Sequence, residues 1–135
     1  MKIIICLDER KGVLFNRRRQ SKDRRVIEDI AASLDGELCI TPFSEKLFSE
    51  SGIPYRCEEN IWERANDNDT CFVEATEFLA CLASVDQITV YWWNRHYPSD
   101  VQLDLDFADC GFSLIHQSDF VGFSHEKITK EVYKR

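Results

Sequence analysis

The sequence predicts a single α/β domain over residues 1–135, with a mixed, mostly parallel sheet flanked by helices. Three observations predict it. Short apolar runs (KIIICL at 2–7, CFV at 71–73, ITVYW at 88–92) read as strands covered on both faces, as strands of parallel sheets usually are. Segments with apolar residues at helical spacing lie between them. Toward the C-terminus strands follow one another without helices, which makes the sheet mixed. At 135 residues the chain is long enough for a real core, and 44% hydrophobic content argues for a folded globule.

Taken in order, Lys2 to Leu7 is a buried strand, Asp8 to Gly12 a turn, and Val13-Leu14-Phe15 a short apolar return. Asn16 to Ser21 is polar and aperiodic, so it reads as a loop. Ser21 is expected to cap a helix with Val26, Ile27, Ile30, Ala31 and Leu34 on its apolar face, stopped at Gly36. Glu37 to Thr41 is a second strand. Thr41-Pro42 opens a short helix with Phe43, Leu47 and Phe48 expected to face inward, proline being tolerated at a first helical position. Glu58 to Ala65 offers Ile61, Trp62 and Ala65 on one helical face, and Asn66 to Thr70 is a turn. Cys71 to Val73 is a third strand, followed by a helix burying Phe78, Leu79 and Leu82.

The strand from Gln87 carries bulky residues on both faces, Ile88, Val90 and Trp92 against Thr89, Tyr91 and Trp93. It is expected in the sheet interior. After it, Val101 to Phe107 alternates strictly and predicts a half-exposed strand; Phe112 to Phe120 predicts another. Between Ile128 and Val132 the spacing fits a helix or a strand, and the 125–135 tail stays open between the two.

Charge and cysteine usage narrow the function classes. A formal net charge of −7 disfavours a general nucleic-acid coating protein, yet the basic residues concentrate between Arg10 and Arg25. A local basic patch on an acidic protein suits a specific anion. Six cysteines occur without a C-x-x-C pair and without a histidine at ligand spacing. Reduced, mostly buried thiols are expected, with no metal site and no cofactor. No apolar run approaches a membrane-spanning length, and Lys2 before five apolar residues is not a signal peptide; a cytoplasmic protein is expected.

Two clusters carry the candidate chemistry. Asn16, Arg17, Arg18 and Arg19 lead toward a helix start with Arg24 in its first turn. Guanidinium forks match phosphate oxygens, and helix-end N–H groups add to the same field. Asn94, Arg95, His96 and Tyr97 follow the interior strand and offer donors, a charge and a titratable ring. His125, in Ser124-His125-Glu126, is a further candidate acid–base residue to pair with His96. No serine sits in a nucleophile-elbow context. Asp100, Asp104 and Asp106 read as solubility features of an exposed strand more than as a cation site.

The blocks FNRRRQSKDR, YWWNRHYPSD and SHEKITKEVYKR resemble a family of short bacterial proteins labelled ribonuclease Z, along the whole chain. The zinc enzyme of that name needs an H-x-H-x-D-H motif. This chain has only His96, His116 and His125, so that chemistry is not carried over. Element order and the stretches KIIICLDERKGVLFN, ELCIT, CFVE and FLACLASVDQITVYWW also resemble dihydrofolate reductase in a shortened form. That resemblance implies a strand for the tail and places the family's catalytic acid on Asp23. Its cofactor-contacting glycine pair would fall where Glu74-Ala75-Thr76 stand.

The leading expectation is a protein that binds a phosphate-bearing small ligand or nucleotide through the arginines and the Asn94–Tyr97 cluster. Three alternatives accompany it: an RNA-binding or RNA-processing protein, a dihydrofolate reductase-like oxidoreductase with Asp23 as acid, and a non-catalytic regulatory domain.

Overall fold

A computed structural model describes residues 1–135. Ten strands form two sheets: β1 (Lys2–Leu7), β2 (Gly12–Phe15), β3 (Arg18–Arg19), β4 (Leu38–Ile40), β5 (Tyr55–Cys57), β6 (Thr70–Val73), β7 (Gln87–Trp92), β8 (Val101–Gln102), β9 (Ser113–Phe120) and β10 (Ile128–Lys134). The main sheet has the order β5-β4-β6-β1-β7-β10-β9. Its first five strands are parallel, and β10 and β9 close it in antiparallel fashion. A small sheet, β3-β2-β8, stands beside it. The helices are α1 (Arg24–Ser33), α2 (Glu45–Phe48) and α3 (Ile61–Arg64), with 3-10 segments at Pro42–Ser44 and Glu77–Ser84.

The apolar runs explain the order. Strand β1 lies between β6 and β7, so both its faces must be covered. On one face Ile3, Ile5 and Leu7 are sealed from solvent with Ile88 and Val90, under Ile61, Phe78 and Phe107. On the other, Ile4, Phe72, Tyr91 and Trp93 meet Val26 and Ile30 of α1. Each fully buried Ile or Leu contributes about 1.5–3 kcal/mol of apolar burial. The expected interior strand is β7, with β1 and β10 as neighbours. The tail is a strand, as the second resemblance implies: β10 pairs β7 and β9, with a register shift between Val132 and Tyr133.

Several expectations give way. The alternating stretch at 101–107 is a strand only at Val101–Gln102. Leu103, Leu105 and Phe107 are buried and the intervening residues exposed, so the alternation reports an extended segment lying on the core without a ladder partner. The N-cap of α1 is Asp23, whose carboxylate accepts from Arg25 N–H; Ser21 is turned to another partner. Ala31 is exposed on α1. Phe43 is 46% exposed although Phe48, its expected companion, is fully buried. Both helices expected at 58–65 and after β6 are curtailed, to one turn and to a kinked 3-10 segment with Cys81 off helical geometry. Strand β5 was not legible, because Tyr55-Arg56-Cys57 has neither alternation nor an apolar run.

Two local features set up the site. The β2–β3 hairpin turns on Asn16 and Arg17, both with positive φ (54° and 62°), the conformation two-residue hairpins demand. Asn tolerates it; Arg at the second position stands where Gly is usual. The loop at 121–127 joins β9 to β10 and folds back onto the start of α1.

Candidate functional site

Asp23 is the meeting point of two distant segments. As N-cap it faces the first N–H groups of α1, and the 121–127 loop brings further donors to it. Its Oδ1 accepts from Arg25 N–H (2.9 Å) and Phe123 N–H (2.8 Å). Its Oδ2 accepts from Ser124 N–H (2.9 Å), Ser124 Oγ (3.2 Å) and His125 Nδ1 (2.8 Å). Burial by itself would raise this carboxyl's pKa. The hydrogen bonds from His125, then from Phe123, Ser124 and Arg25, outweigh it and hold the group well below the usual carboxylate range. Gly122 permits the approach: a Cβ there would stand 2.6 Å from Asp23 Oδ2 and 2.9 Å from the His125 carbonyl oxygen.

With an ionised Asp23 as acceptor, Nδ1 is the ring nitrogen of His125 that donates, and Nε2 is turned toward the hydroxyls. Two hydroxyls reach it, Ser21 Oγ at 2.9 Å and Tyr97 OH at 3.0 Å. The ring stacks on Trp93 with centroids 4.6 Å apart and planes 22° apart. Trp93 follows the end of β7, where its backbone N–H donates to the Leu7 carbonyl. The interior strand therefore does deliver a platform to the site, through Trp93 and Tyr97.

A second carboxylate fixes the surrounding loops. Asp8 is fully buried and accepts from Arg10 and Gly12 N–H (2.8 and 2.7 Å), Gln20 Nε2 (3.1 Å) and Tyr97 N–H (3.2 Å). The turn after β1, the loop before α1 and the loop after β7 are thus tied to one side chain. A third, Glu74 at the end of β6, takes both Arg19 Nε and Arg19 Nη2, the latter at 2.7 Å, and Ser44 Oγ at 2.7 Å. That pair raises the Arg19 pKa still further. Arg19 also lies 5.2 Å over the Phe43 ring.

These ties do not reach the neighbouring cations. Arg17, Arg18 and Lys22 make no ion pair, and with Arg19, Ser21 and Phe43 they line an open basin of ≈ 550 Å³. A neighbouring depression of ≈ 290 Å³ joins Arg18 to Tyr97 and Pro98. The two sequence clusters therefore meet only through Tyr97. Asn94 is spent on β10, donating to Lys127 O (3.2 Å) and Thr129 Oγ1 (2.9 Å). Arg95 reaches Ser124 O at 3.5 Å. His96 is exposed, makes no side-chain hydrogen bond and does not pair with His125. Arg24 lies 4.5 Å over the Phe123 ring, and the Asn16 N–H donates to Asp100 Oδ2 (3.0 Å). Phe43, the fork of Arg19 on Glu74 and the role of Ser21 escaped the sequence reading. Only the exposed polar loop around Ser21 hinted at any of them.

Two further openings flank the carboxyl ends of β1, β4 and β6, where ligands of open α/β sheets bind. Between α1 and β1, beside Cys6, Val26, Asp23 and Trp93, the interior space is ≈ 20 Å³, room for about one water. Beyond β4 and β6 a groove of ≈ 480 Å³ runs past Trp62 and Phe43, with Glu59, Glu63, Glu74 and Glu77 along it and Arg17 as its basic residue.

No protein-family model and no curated protein matches the sequence. A solved dihydrofolate reductase from Enterococcus faecalis, complexed with NADP(H) and RAB-propyl, is similar in structure. The TM-score is 0.68 over 99% of this chain and 95% of that one, at 9% sequence identity. This chain has a dihydrofolate reductase-like fold. At that identity the likeness carries the fold alone.

The residues of this dihydrofolate reductase-like chain do not fit a dinucleotide cofactor. The groove at the ends of β4 and β6 would set four carboxylates against its phosphates. Glu74 stands where the resemblance implies a glycine, and its carboxylate is already held by Arg19. Nor does Asp23 fit the acid's part. Five donors occupy the roughly four lone-pair sites of its two oxygens, and it is held ionised.

Proposed function

We propose that the protein binds a phosphate-bearing small ligand, of nucleotide type, in the basin of Arg17, Arg18 and Lys22. One observation carries this reading: three cations converge on an open depression without any intramolecular carboxylate partner, on a chain of net charge −7. Arg19 beside them is held by Glu74, whereas these three reach no carboxylate and face the same open space. Phe43 offers an exposed ring at the rim, a surface against which a planar base can stack. Arg17 sits at a positive φ that costs about 1 kcal/mol for a residue with a Cβ, and strain of this kind collects at ligand clamps.

The RNA alternative has less support. The cations occupy one loop, and a polymer would have to cross an otherwise acidic surface. The reductase alternative meets the acidic groove and the saturated Asp23 described above.

A melting-temperature series tests the proposal. With ATP or pyrophosphate at ten times the dissociation constant, the wild type is expected to gain about 1.4 kcal/mol, or about 5 °C. Arg18→Glu is expected to lose that gain. A wild type whose melting curve ignores every phosphate compound in the series contradicts the reading.

A further inference from the structure

We propose that Ser21 is the nucleophile of an ester hydrolase site, with His125 as its general base and Asp23 as the positioning residue of that base. Ser21 Oγ lies 2.9 Å from His125 Nε2, and His125 Nδ1 lies 2.8 Å from Asp23 Oδ2. A nucleophile within hydrogen-bond reach of a base, itself oriented by a third group, is recognised by geometry and role and not by chain order. Here the order is Ser21, Asp23, His125, and the serine needs no nucleophile elbow. The loop before α1 presents it instead.

Three features distinguish this arrangement from a structural staple. Tyr97 OH, 3.0 Å from Nε2, is a second hydroxyl within reach of the ring, so the ring keeps a partner when the serine is removed. Ser21 is partly exposed and lines the open basin, whereas His125 is 4% exposed behind it and backed by Trp93. Asp23 is held ionised by His125 and then by the Phe123, Ser124 and Arg25 N–H groups, which is the state that holds Nδ1–H and stabilises the imidazolium formed in the reaction.

The step balances with water as co-reactant. Ser21 Oγ bonds to the ester carbonyl carbon while its proton passes to His125 Nε2; the tetrahedral adduct expels the alkoxide or phenoxide, which takes that proton. Water then attacks the acyl-serine, giving its proton to Nε2, and Ser21 Oγ recovers it as the carboxylic acid departs. Tyr97 OH, 3.4 Å from Ser21 Oγ, donates to that oxygen when Ser21 donates to Nε2. Arg17, Arg18 and Lys22 around the serine select esters that carry an anionic group. This substrate class rests on the basin reading above; the nucleophile does not.

The full chain is treated with a fluorophosphonate and analysed by intact mass and peptide mapping. One adduct is expected, on Ser21, with loss of fluoride. Ser21→Ala is expected to take no label and to melt as the wild type does. The labelling rate should rise with pH, as general-base activation of a hydroxyl requires, and Asp23→Asn should lower it by on the order of 10²-fold or more. Should Asp23→Asn not fold, the wild-type adduct and its pH profile decide. No adduct, an adduct elsewhere, or a rate flat with pH overturns the nucleophile whatever the basin binds. In a second arm, p-nitrophenyl acetate is compared with a p-nitrophenyl ester of a dicarboxylic acid, the anionic one expected to turn over at least tenfold faster. Equal rates with Ser21 labelled overturn the anionic substrate class and leave the nucleophile in place.

Discussion

The carboxylate of Asp23 and the imidazole of His125, 102 positions apart in the chain, meet at 2.8 Å with both side chains almost wholly out of water. Through this contact the last loop of the protein is fastened to the start of α1. Asp23→Asn replaces an acceptor of five donors by a group that must itself donate, and leaves buried N–H groups without partners. A loss of about 3 kcal/mol is expected, read as a lower denaturation midpoint in urea with an unchanged slope. A loss under about 0.5 kcal/mol would mean the loop is held by other contacts.

Acid should expose the same linkage. Asp23 is held below its unfolded value of about 3.9, so its contribution is complete at neutral pH and is lost as pH falls through the folded-state value. Asp69 and Asp86 act in the same direction, since hydrogen bonds to Asn66 N–H and Arg56, and to the chain's amino group, outweigh their burial. Stability is expected to be flat from about pH 7 to 5 with respect to these groups and to fall below about pH 4. In Asp23→Asn the acid limb should be shallower, as urea midpoints across pH will record.

Arg17 occupies a left-handed turn position that glycine takes without strain. Arg17→Gly is expected to raise stability by up to about 1 kcal/mol while weakening phosphate binding, a separation of the two properties at one residue. Parallel melting and binding measurements check it. A variant that loses stability and keeps binding would remove Arg17 from the site.

Neighbouring arginines should behave differently. Arg18 has no ion-pair partner, so Arg18→Glu is expected to change stability by no more than about 0.5 kcal/mol. Arg19 is forked onto Glu74, and Arg19→Glu sets two carboxylates against each other on a 9% exposed Glu74 side chain. A loss of about 2–4 kcal/mol is expected. Nothing in the sequence distinguished the two loop arginines, and chemical denaturation of the two variants will separate them.

What the sequence revealed was the part governed by local patterning. The apolar runs of β1, β6 and β7 and the helical spacing of α1 place the sheet and its covering layer, because burial on two faces demands such runs. Alternation at 101–107 misled because an extended segment on a core alternates whether or not a ladder forms. The site was half legible. Asp23, His125, Tyr97 and the arginines were named, and the arginines were grouped with Tyr97; the joining of Ser21 and Asp23 to His125 was not foreseen. The contacts joining Ser21 to His125 and Arg19 to Glu74 span 104 and 55 positions and depend on the sheet order. Local residue spacing holds no record of such distances.

Amide shift mapping by NMR, with pyrophosphate or ATP added to the ¹⁵N-labelled full chain, tests phosphate binding in the basin of Arg17, Arg18 and Lys22. Saturable shifts are expected, centred on residues 16–22 and Phe43 and absent in Arg18→Glu. Shifts centred on the acidic groove of Glu59, Glu63 and Glu77, or no saturable shifts at millimolar ligand, would contradict it.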